Sequence, residues 1–263
     1  MRPGASSLMI AWCAVVISYC LFSPMGHAQS TLGAESAAVV PDLSGVWQRS
    51  SPGAALTTEE PPMTTWGQER FSLARPGRGA TANSGDTTNA PELQCTPMGI
   101  PATYFRPRPI EIIQLSDRVI MLLEVENFFR IIYTDGREFP DFPLPTWNGY
   151  AIGHYEDDAL VIETRNFQGW ESEERQRWLD RLGHPFSDEL TVIERIRRID
   201  DDTLENEITI VDPVTYERPW VATMTFSLRE GIELVELICS EADNRAFAEF
   251  ERQIQEYGRK EPQ

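Results

Sequence analysis

From residue 110 to residue 238, short segments rich in β-branched and aromatic residues follow one another, separated by brief polar turns. Polar residues fall on nearly every other position of 191–199. This alternation is typical of a strand with one face on a core and one face in water. Acidic turns at 156–158 and 200–202 join neighbouring segments at the spacing of β-hairpins. The predicted strands span residues 110–115, 119–125, 128–133, 150–155, 160–164, 190–199, 204–211, 220–228 and 233–238.

About nine locally connected strands with almost no helix between them predict an all-β fold. The expected topology is an antiparallel meander that closes into a barrel, because closure removes exposed strand edges. A barrel of eight or more strands can also enclose a ligand cavity. Two other regions lack the strand pattern. Residues 50–109, rich in Pro, Gly and Thr, predict an irregular N-terminal wrap, and the spacing of apolar residues predicts a C-terminal helix over 246–257.

The first 28 residues have the order of a secretory signal peptide. Arg2 precedes an apolar run over 8–22, and the small residues at 26 and 28 suit cleavage after Ala28. The run is shorter than the roughly 20 residues that a membrane-spanning helix needs. The alternative of a lipoprotein, cleaved before Cys20, lacks suitable residues at 17–19. We therefore predict a signal peptide (1–28), a flexible leader (29–41) and one domain (42–263), located in the periplasm or secreted.

The charge argues against one class of binding partner, and the cysteine content predicts a disulfide. With 41 acidic against 23 basic residues, the formal net charge is −18. Such a surface repels phosphate backbones, so nucleic-acid binding is not expected. After signal cleavage only Cys95 and Cys239 remain. Two cysteines in an exported protein predict one disulfide, with two buried free thiols as the alternative.

The segment Asp42-Leu43-Ser44-Gly45-Val46-Trp47 resembles the opening Gly-x-Trp motif of lipocalins and related calycin barrels. This resemblance implies that Trp47 closes one end of the barrel and that a late arginine stacks on it, for which Arg229 is the nearest candidate. The chain departs from lipocalins in its 50–109 wrap and in a long connection after residue 164. It also lacks their second motif at the usual spacing.

Residues 42–244 also resemble a family of uncharacterised exported bacterial proteins. This resemblance implies a shared fold and no particular reaction. The matching segments are 43–47, 131–136, 178–185, 212–213 and 219–220.

The connection over 165–189 is long for a β meander, and long connections are often lids or binding loops. It concentrates Trp178, Asp180, Arg181 and His184 within seven residues. Asp180 and His184 could form a catalytic acid–base pair in which the carboxylate orients the imidazole. Alternatively, an Asp–Arg bridge merely pins a surface loop. We predict that this connection covers the open end of the barrel and supplies these four side chains to a ligand site.

Further ligand-binding candidates lie on or beside predicted strands: Trp147, Tyr150, His154 and Glu194. The Asn-Gly pair at 148–149 is primarily typical of a turn. Trp147 and Tyr150, on either side of it, could nevertheless line the mouth of a pocket. Glu194 becomes a site candidate if its carboxylate points inward. The mature chain has only two histidines and no metal-ligand spacing, so no metal site is predicted. Dinucleotide, phosphate-loop and nucleophile-elbow motifs are missing, so no cofactor is predicted.

Three functional hypotheses follow. The first is an exported lipocalin-like protein that binds a small, mainly apolar or amphipathic molecule, favoured by the barrel pattern and the aromatic content. The second is an enzyme on the same barrel, a hydrolase, isomerase or lyase using Asp180 and His184. The third is an interaction module of the cell envelope. A pocket with converging polar groups would favour the enzyme, a dry apolar pocket the binder, and a filled barrel the module.

Overall fold

The computed structural model describes residues 40–77, 83 and 87–240. Nine strands close into one barrel in sequence order. Within these described residues, one α-helix, α1 (Thr65–Leu73), and three short 3₁₀ helices lie outside the strands. The strands are β1 (Gly45–Arg49), β2 (Ile110–Gln114), β3 (Arg118–Leu123), β4 (Phe128–Tyr133), β5 (Tyr150–Glu156), β6 (Ala159–Arg165), β7 (Thr191–Asp200), β8 (Thr203–Val211) and β9 (Trp220–Leu228). The 3₁₀ helices span Pro91–Gln94, Ala102–Phe105 and Val125–Asn127.

The closed barrel and eight of the nine predicted strands are confirmed, but the strand expected at 233–238 is wrong. The ninth strand is instead β1, which pairs with β2 on one side and with β9 on the other. Because β1 already occupies the free edge of β9, the chain after Leu228 has no edge left to join. Residues 232–240 therefore run without secondary structure, with main-chain N–H groups of Val235 and Leu237 donating to Glu124 and Asn127.

The purely antiparallel order is also wrong, because β4 and β5 pair parallel through Ile132–Ala151 and Tyr133–Ile152. Parity gives the physical reason. Nine strands that alternate strictly in direction would bring the first and last together parallel. A single parallel step, made by the long connection 134–149, lets β1 close antiparallel on β9. The barrel is therefore mixed, with one parallel pair among its antiparallel neighbours.

Alternation places one face of each strand inside the barrel. In β7, Val192, Glu194 and Ile196 are buried while the residues between them are only partly covered. Trp47 is buried in the same core, and its indole N–H donates to Leu43 O at 3.0 Å. The guanidinium beside the Trp47 ring belongs to Arg198, 5.4 Å from the ring centroid. Arg229 is exposed, so the candidate taken from the lipocalin resemblance is wrong.

The signal peptide, nearly all of the leader and the helix predicted at 246–257 lie outside the described residues, so these remain predictions. Among the residues that are described, no helix is long and apolar enough to cross a membrane. The predicted disulfide is confirmed: Cys95 and Cys239 are bonded and tie the irregular wrap to the segment that follows β9.

Candidate functional site

The 166–190 connection packs into the barrel core at one end. β6 ends and β7 begins there, and antiparallel pairing brings the end of β8 and the start of β9 to the same place. We call this the loop end. Four apolar side chains of the connection belong to the main core cluster: Phe167, Leu179, Phe186 and Leu190. The segment is thus a packed cap rather than a loose loop.

A buried carboxylate, Asp212, fastens this cap to the β8–β9 connection. Its two oxygens accept hydrogen bonds from the main-chain N–H and the hydroxyl of Ser187, both at 2.7 Å. They also accept from the main-chain N–H groups of Val214 and Thr215 and from the Thr215 hydroxyl. The Tyr216 hydroxyl donates to Pro185 O at 2.9 Å. Every donor around Asp212 is part of the scaffold, so its role is structural.

Asp180 and His184 meet inside the cap, as the pairing hypothesis requires. His184 Nδ1 lies 2.5 Å from Asp180 Oδ2. The same carboxylate accepts main-chain N–H groups from Leu56 at 3.2 Å and Leu182 at 2.9 Å. It therefore joins the wrap to the cap while it orients the imidazole. Arg181 donates its main-chain N–H to Ala54 O at 2.9 Å, a second link between the cap and the wrap.

The other imidazole nitrogen of His184 points towards the protein surface. Nε2 lies 3.1 Å from Glu60 Oε1, and the ring stacks on Phe71 at 4.8 Å between centroids. The Glu60 side chain is 59 % exposed, whereas that of His184 is 4 % exposed. Burial alone would lower the pKa of His184, but the hydrogen bond to Asp180 and the charges of Asp180 and Glu60 outweigh burial and raise it. The imidazole is thus biased towards its protonated form between two carboxylates.

Glu60 also lines a cleft of about 430 Å³ at the loop end. The cleft runs between the 57–62 segment of the wrap and the start of β9. Arg218 and Trp220 contribute a cation and a large aromatic ring to its wall. Trp220 is 8 % exposed, and its indole N–H has no hydrogen-bond partner among the described residues. The remaining lining residues are Thr57, Thr58, Glu59, Pro61, Pro62 and Val221.

A second polar cluster, around Glu194, lies inside the barrel among the apolar side chains of the core. Its carboxylate pairs with the Arg130 guanidinium and accepts the Tyr104 hydroxyl at 2.8 Å and the Asn206 amide at 3.0 Å. Arg130 also donates to the Thr164 hydroxyl at 2.7 Å. Burial raises the pKa of Tyr104, and the neighbouring Glu194 charge raises it further. The void beside this cluster measures only about 20 Å³, space for a single water molecule.

The remaining predicted site residues lie in separate places. Trp178 is buried in the cap and donates to the Gln176 side chain at 2.9 Å. Trp178, Asp180 and Arg181 border a crevice of only about 10 Å³. Trp147 packs under the Arg177 guanidinium, and Tyr150 stacks on Tyr133.

His154 lies on the outer barrel surface, in a groove of about 210 Å³ on β5, β6 and β7. Glu194 lies inside the barrel, so the structure brings together only part of the predicted set.

Several residues of the site were not anticipated from the sequence. Glu60 lies 124 positions before His184, and no local pattern links the two. Trp220 was predicted only as the first residue of a strand, and Arg218 was assigned no role. The available signals were the acidic pair Glu59-Glu60 before two prolines and a tryptophan directly after Pro219. Both patterns are common, which is why neither indicated a cleft.

Among the described ranges, no group of three His, Cys, Asp or Glu side chains could hold a metal ion. No protein-family model, no curated protein and no solved structure matches this chain. The fold and site define a mixed nine-stranded β-barrel protein with a cleft at its loop end.

Proposed function

We propose that this protein is an exported binding protein for a small amphipathic molecule, held in the loop-end cleft rather than inside the barrel. The observation that carries the proposal is the cleft itself. Its volume of about 430 Å³ falls within the range of about 300–1,000 Å³ that is usual for ligand sites. By contrast, the 20 Å³ void inside the barrel excludes any molecule larger than water unless the Glu194 cluster rearranges.

The chemistry of the wall supports this choice. Trp220, Val221 and two prolines offer apolar surface, and charged and hydroxyl side chains lie around them. Ligand sites usually combine apolar surface with a few polar groups that fix orientation.

A pair of matched substitutions tests the location. Val221→Trp places a large side chain in the cleft, and Val161→Trp does the same in the separate groove on the outer face of the barrel. Native mass spectrometry of protein purified from its own source should find a co-purifying small molecule on wild type and on Val161→Trp. Val221→Trp should be free of it. If Val221→Trp retains the small molecule and Val161→Trp loses it, the ligand site lies in the outer groove instead.

Export rests on the first 28 residues and on the Cys95–Cys239 disulfide, since disulfides persist mainly in oxidising compartments. N-terminal sequencing of the mature protein should begin at Gln29. A mature form that keeps Met1, or one acylated on Cys20, would contradict this assignment.

The Asp180–His184 contact supports a second candidate, an acid–base enzyme that uses the same cleft. The 2.5 Å hydrogen bond orients the imidazole, and Nε2 faces Glu60 at the cleft wall. The raised pKa of His184 suits a proton donor more than a base. Incubating the recovered ligand with wild type and with His184→Gln separates the candidates. Conversion by wild type alone supports an enzyme, and an unchanged ligand with both proteins supports a binder.

A further inference from the structure

Residues 57–60 form part of one wall of the loop-end cleft and are anchored on both sides. On the N-terminal side, the main-chain N–H of Leu56 donates to Asp180 Oδ2 at 3.2 Å. On the C-terminal side, Pro62 O accepts the main-chain N–H of Glu217 at 2.8 Å. We call the span between these two anchors, 57–60, the strap.

A single side-chain contact ties the strap to the rest of the protein. Throughout the described residues, the contact of Glu60 with His184 Nε2 at 3.1 Å is the one hydrogen bond or ion pair from the strap to another segment. The Thr57 hydroxyl donates to Glu59 O, which is a bond within the strap. Thr58, Glu59 and Glu60 are exposed, so packing holds them only weakly. The position of the strap therefore depends on the contact between Glu60 and His184.

This contact needs an imidazole that carries two protons. His184 Nδ1 lies 2.5 Å from Asp180 Oδ2, and Nε2 lies 3.1 Å from Glu60 Oε1. An ionised carboxylate only accepts hydrogen bonds, so each ring nitrogen must be an N–H donor. The protonated imidazole has two such donors, whereas the neutral ring has one. Loss of a proton therefore breaks one of the two bonds.

The bond to Glu60 is the one that a neutral imidazole gives up. The side chain of Asp180 is 0 % exposed, so water could not replace the donor that its carboxylate would lose. The side chain of Glu60 is 59 % exposed, and water can hydrate it instead. The remaining proton thus stays on Nδ1, and the Nε2 proton leaves to solvent. The lone pair on Nε2 then faces the Glu60 carboxylate and repels it.

The surroundings of His184 favour the protonated form. Asp180 from the cap and Glu60 from the wrap are the charged groups that act on it within the described chain, and they outweigh burial and raise its pKa above 6.5. From α1, the neutral ring of Phe71 stacks on the imidazole. From the β8–β9 connection comes Tyr216, whose pKa is raised by burial and by nearby carboxylates, so it stays neutral while His184 titrates.

We propose that His184 is a pH-operated latch for the loop-end cleft. When the imidazole is protonated, Glu60 holds the strap against the cap and the cleft keeps its volume of about 430 Å³. When the imidazole is neutral, Glu60 is released and the strap moves away from the cap. Pro61 is buried beside the second anchor, so the movement is confined to the strap. A molecule in the cleft would then exchange faster as the pH rises, a consequence that rests on the function proposed above.

Methyl groups of the strap report its movement without any ligand. Relaxation of ¹³C-labelled threonine methyls measures the order of Thr57 and Thr58, and the resonances are identified by their loss in Thr57→Ser and Thr58→Ser. The imidazole of His184 is titrated by NMR in the same sample. We expect both strap methyls to lose order as His184 loses its proton. The methyl of Thr223, which is exposed on β9, should not change.

Two substitutions of Glu60 separate the latch from other effects of pH. In Glu60→Gln, the amide can accept from Nε2–H or donate to a bare Nε2, so the strap should stay ordered across the titration. In Glu60→Ala the contact is absent, so the strap should lack order across the titration. Glu59→Gln changes the neighbouring exposed carboxylate and should keep the wild-type dependence on pH.

Three results would overturn the latch: strap order that does not follow the titration of His184, a pH dependence that survives in Glu60→Gln, or a Glu60→Ala strap as ordered as wild type at acidic pH. None of these measurements involves a ligand, so they leave the proposed binding function unaffected. Conversely, if the strap behaves as expected but native mass spectrometry finds no co-purifying molecule, the latch stands and the binding function fails.

Discussion

Two buried carboxylates in this protein differ in where their hydrogen-bond networks end. Glu194, inside the barrel, pairs with Arg130, and its other neighbours Tyr104 and Asn206 are buried as well. Asp180, in the cap, binds His184, which in turn reaches the exposed Glu60 at the wall of a 430 Å³ cleft. Both carboxylates face a cationic or protonatable partner. Only the cap network extends from the core to water.

This difference separates a structural network from one that can take part in function. A polar cluster enclosed on all sides has no surface through which a ligand or bulk proton can act. The cap network has such a surface, since the charge on His184 depends on Glu60 and Glu60 borders the cleft. Perturbing the barrel cluster should therefore change stability alone, whereas perturbing the cap should change stability, pH dependence and ligand binding.

The largest effect should come from Glu194→Ala. The substitution leaves the buried Arg130 guanidinium without its counter-charge, and breaking a buried pair in this way typically costs about 3–5 kcal/mol. Urea unfolding monitored by fluorescence measures the loss. The double variant Arg130→Met/Glu194→Met removes both charges and should be clearly more stable than Glu194→Ala. Equal stability of the two variants would mean that the pair is not the source of the cost.

Asp180→Asn should have a smaller effect, about 1–3 kcal/mol. Both carboxylate oxygens accept from donors, Leu182 N–H on one side and Leu56 N–H with His184 Nδ1 on the other. An amide NH₂ must therefore face a donor whichever way it turns. The same unfolding experiment measures the loss, with the exposed Asp188→Asn as matched control. A loss as small as that of the control would show that the cap does not depend on this carboxylate.

His184 should make stability depend on pH with a defined sign. Its pKa is raised in the folded protein above the ordinary value of about 6.5. Its stabilising contribution is therefore complete below that ordinary value and is lost as pH rises through the folded-state pKa. The difference in Tm between wild type and His184→Gln should thus be largest below the ordinary pKa of about 6.5 and should shrink as the pH rises above it. A Tm difference that grows with pH would show that folding favours the neutral form of His184 rather than the protonated form.

Glu60→Gln should have the smallest effect on stability, below about 1 kcal/mol, because the pair with His184 is half-exposed at Glu60. The informative readout is the His184 pKa from NMR titration. Removing the Glu60 charge should lower that pKa, since Glu60 is one of the groups that raises it. An unchanged pKa of His184 would show that Glu60 does not act on His184. The network of Asp180 and His184 would then not extend to the surface, and its contrast with the Glu194 cluster would be lost.

The strands of this barrel could be read from the sequence because their side-chain alternation is a local signal. In β7 every second residue, Val192, Glu194 and Ile196, is buried, whereas the residues between them are only partly covered. Strand direction after a long connection is not local. Nothing in residues 134–149 specifies that β5 returns parallel to β4. The choice of β1 over 233–238 as the closing strand depends likewise on which segment reaches the β9 edge.

The candidate site also combines residues that a local sequence signal predicts with residues that only the folded chain brings together. Asp180 and His184 are four residues apart, so their contact could be anticipated from spacing. Glu60, Arg218 and Trp220 come from the wrap and from the start of β9, and only the folded barrel places them in one cleft. Glu194 was a site candidate on the condition that its carboxylate points inward, and the side chain is indeed buried inside the barrel. The structure gives it an internal partner, Arg130, which sequence alone could not assign.

The Cys95–Cys239 bond also determines how the protein would respond to a mechanical pull. The two cysteines are 144 positions apart, so the covalent ring that they close contains β2 through β9, and β1 is the one strand of the described barrel that lies outside it. Tension applied between the chain ends passes through the sulfur–sulfur bond and bypasses eight strands. The element that bears the load is β1, whose hydrogen bonds to β2 and β9 would be sheared or peeled first. Extension would then stop at the ring until a reductant opens it.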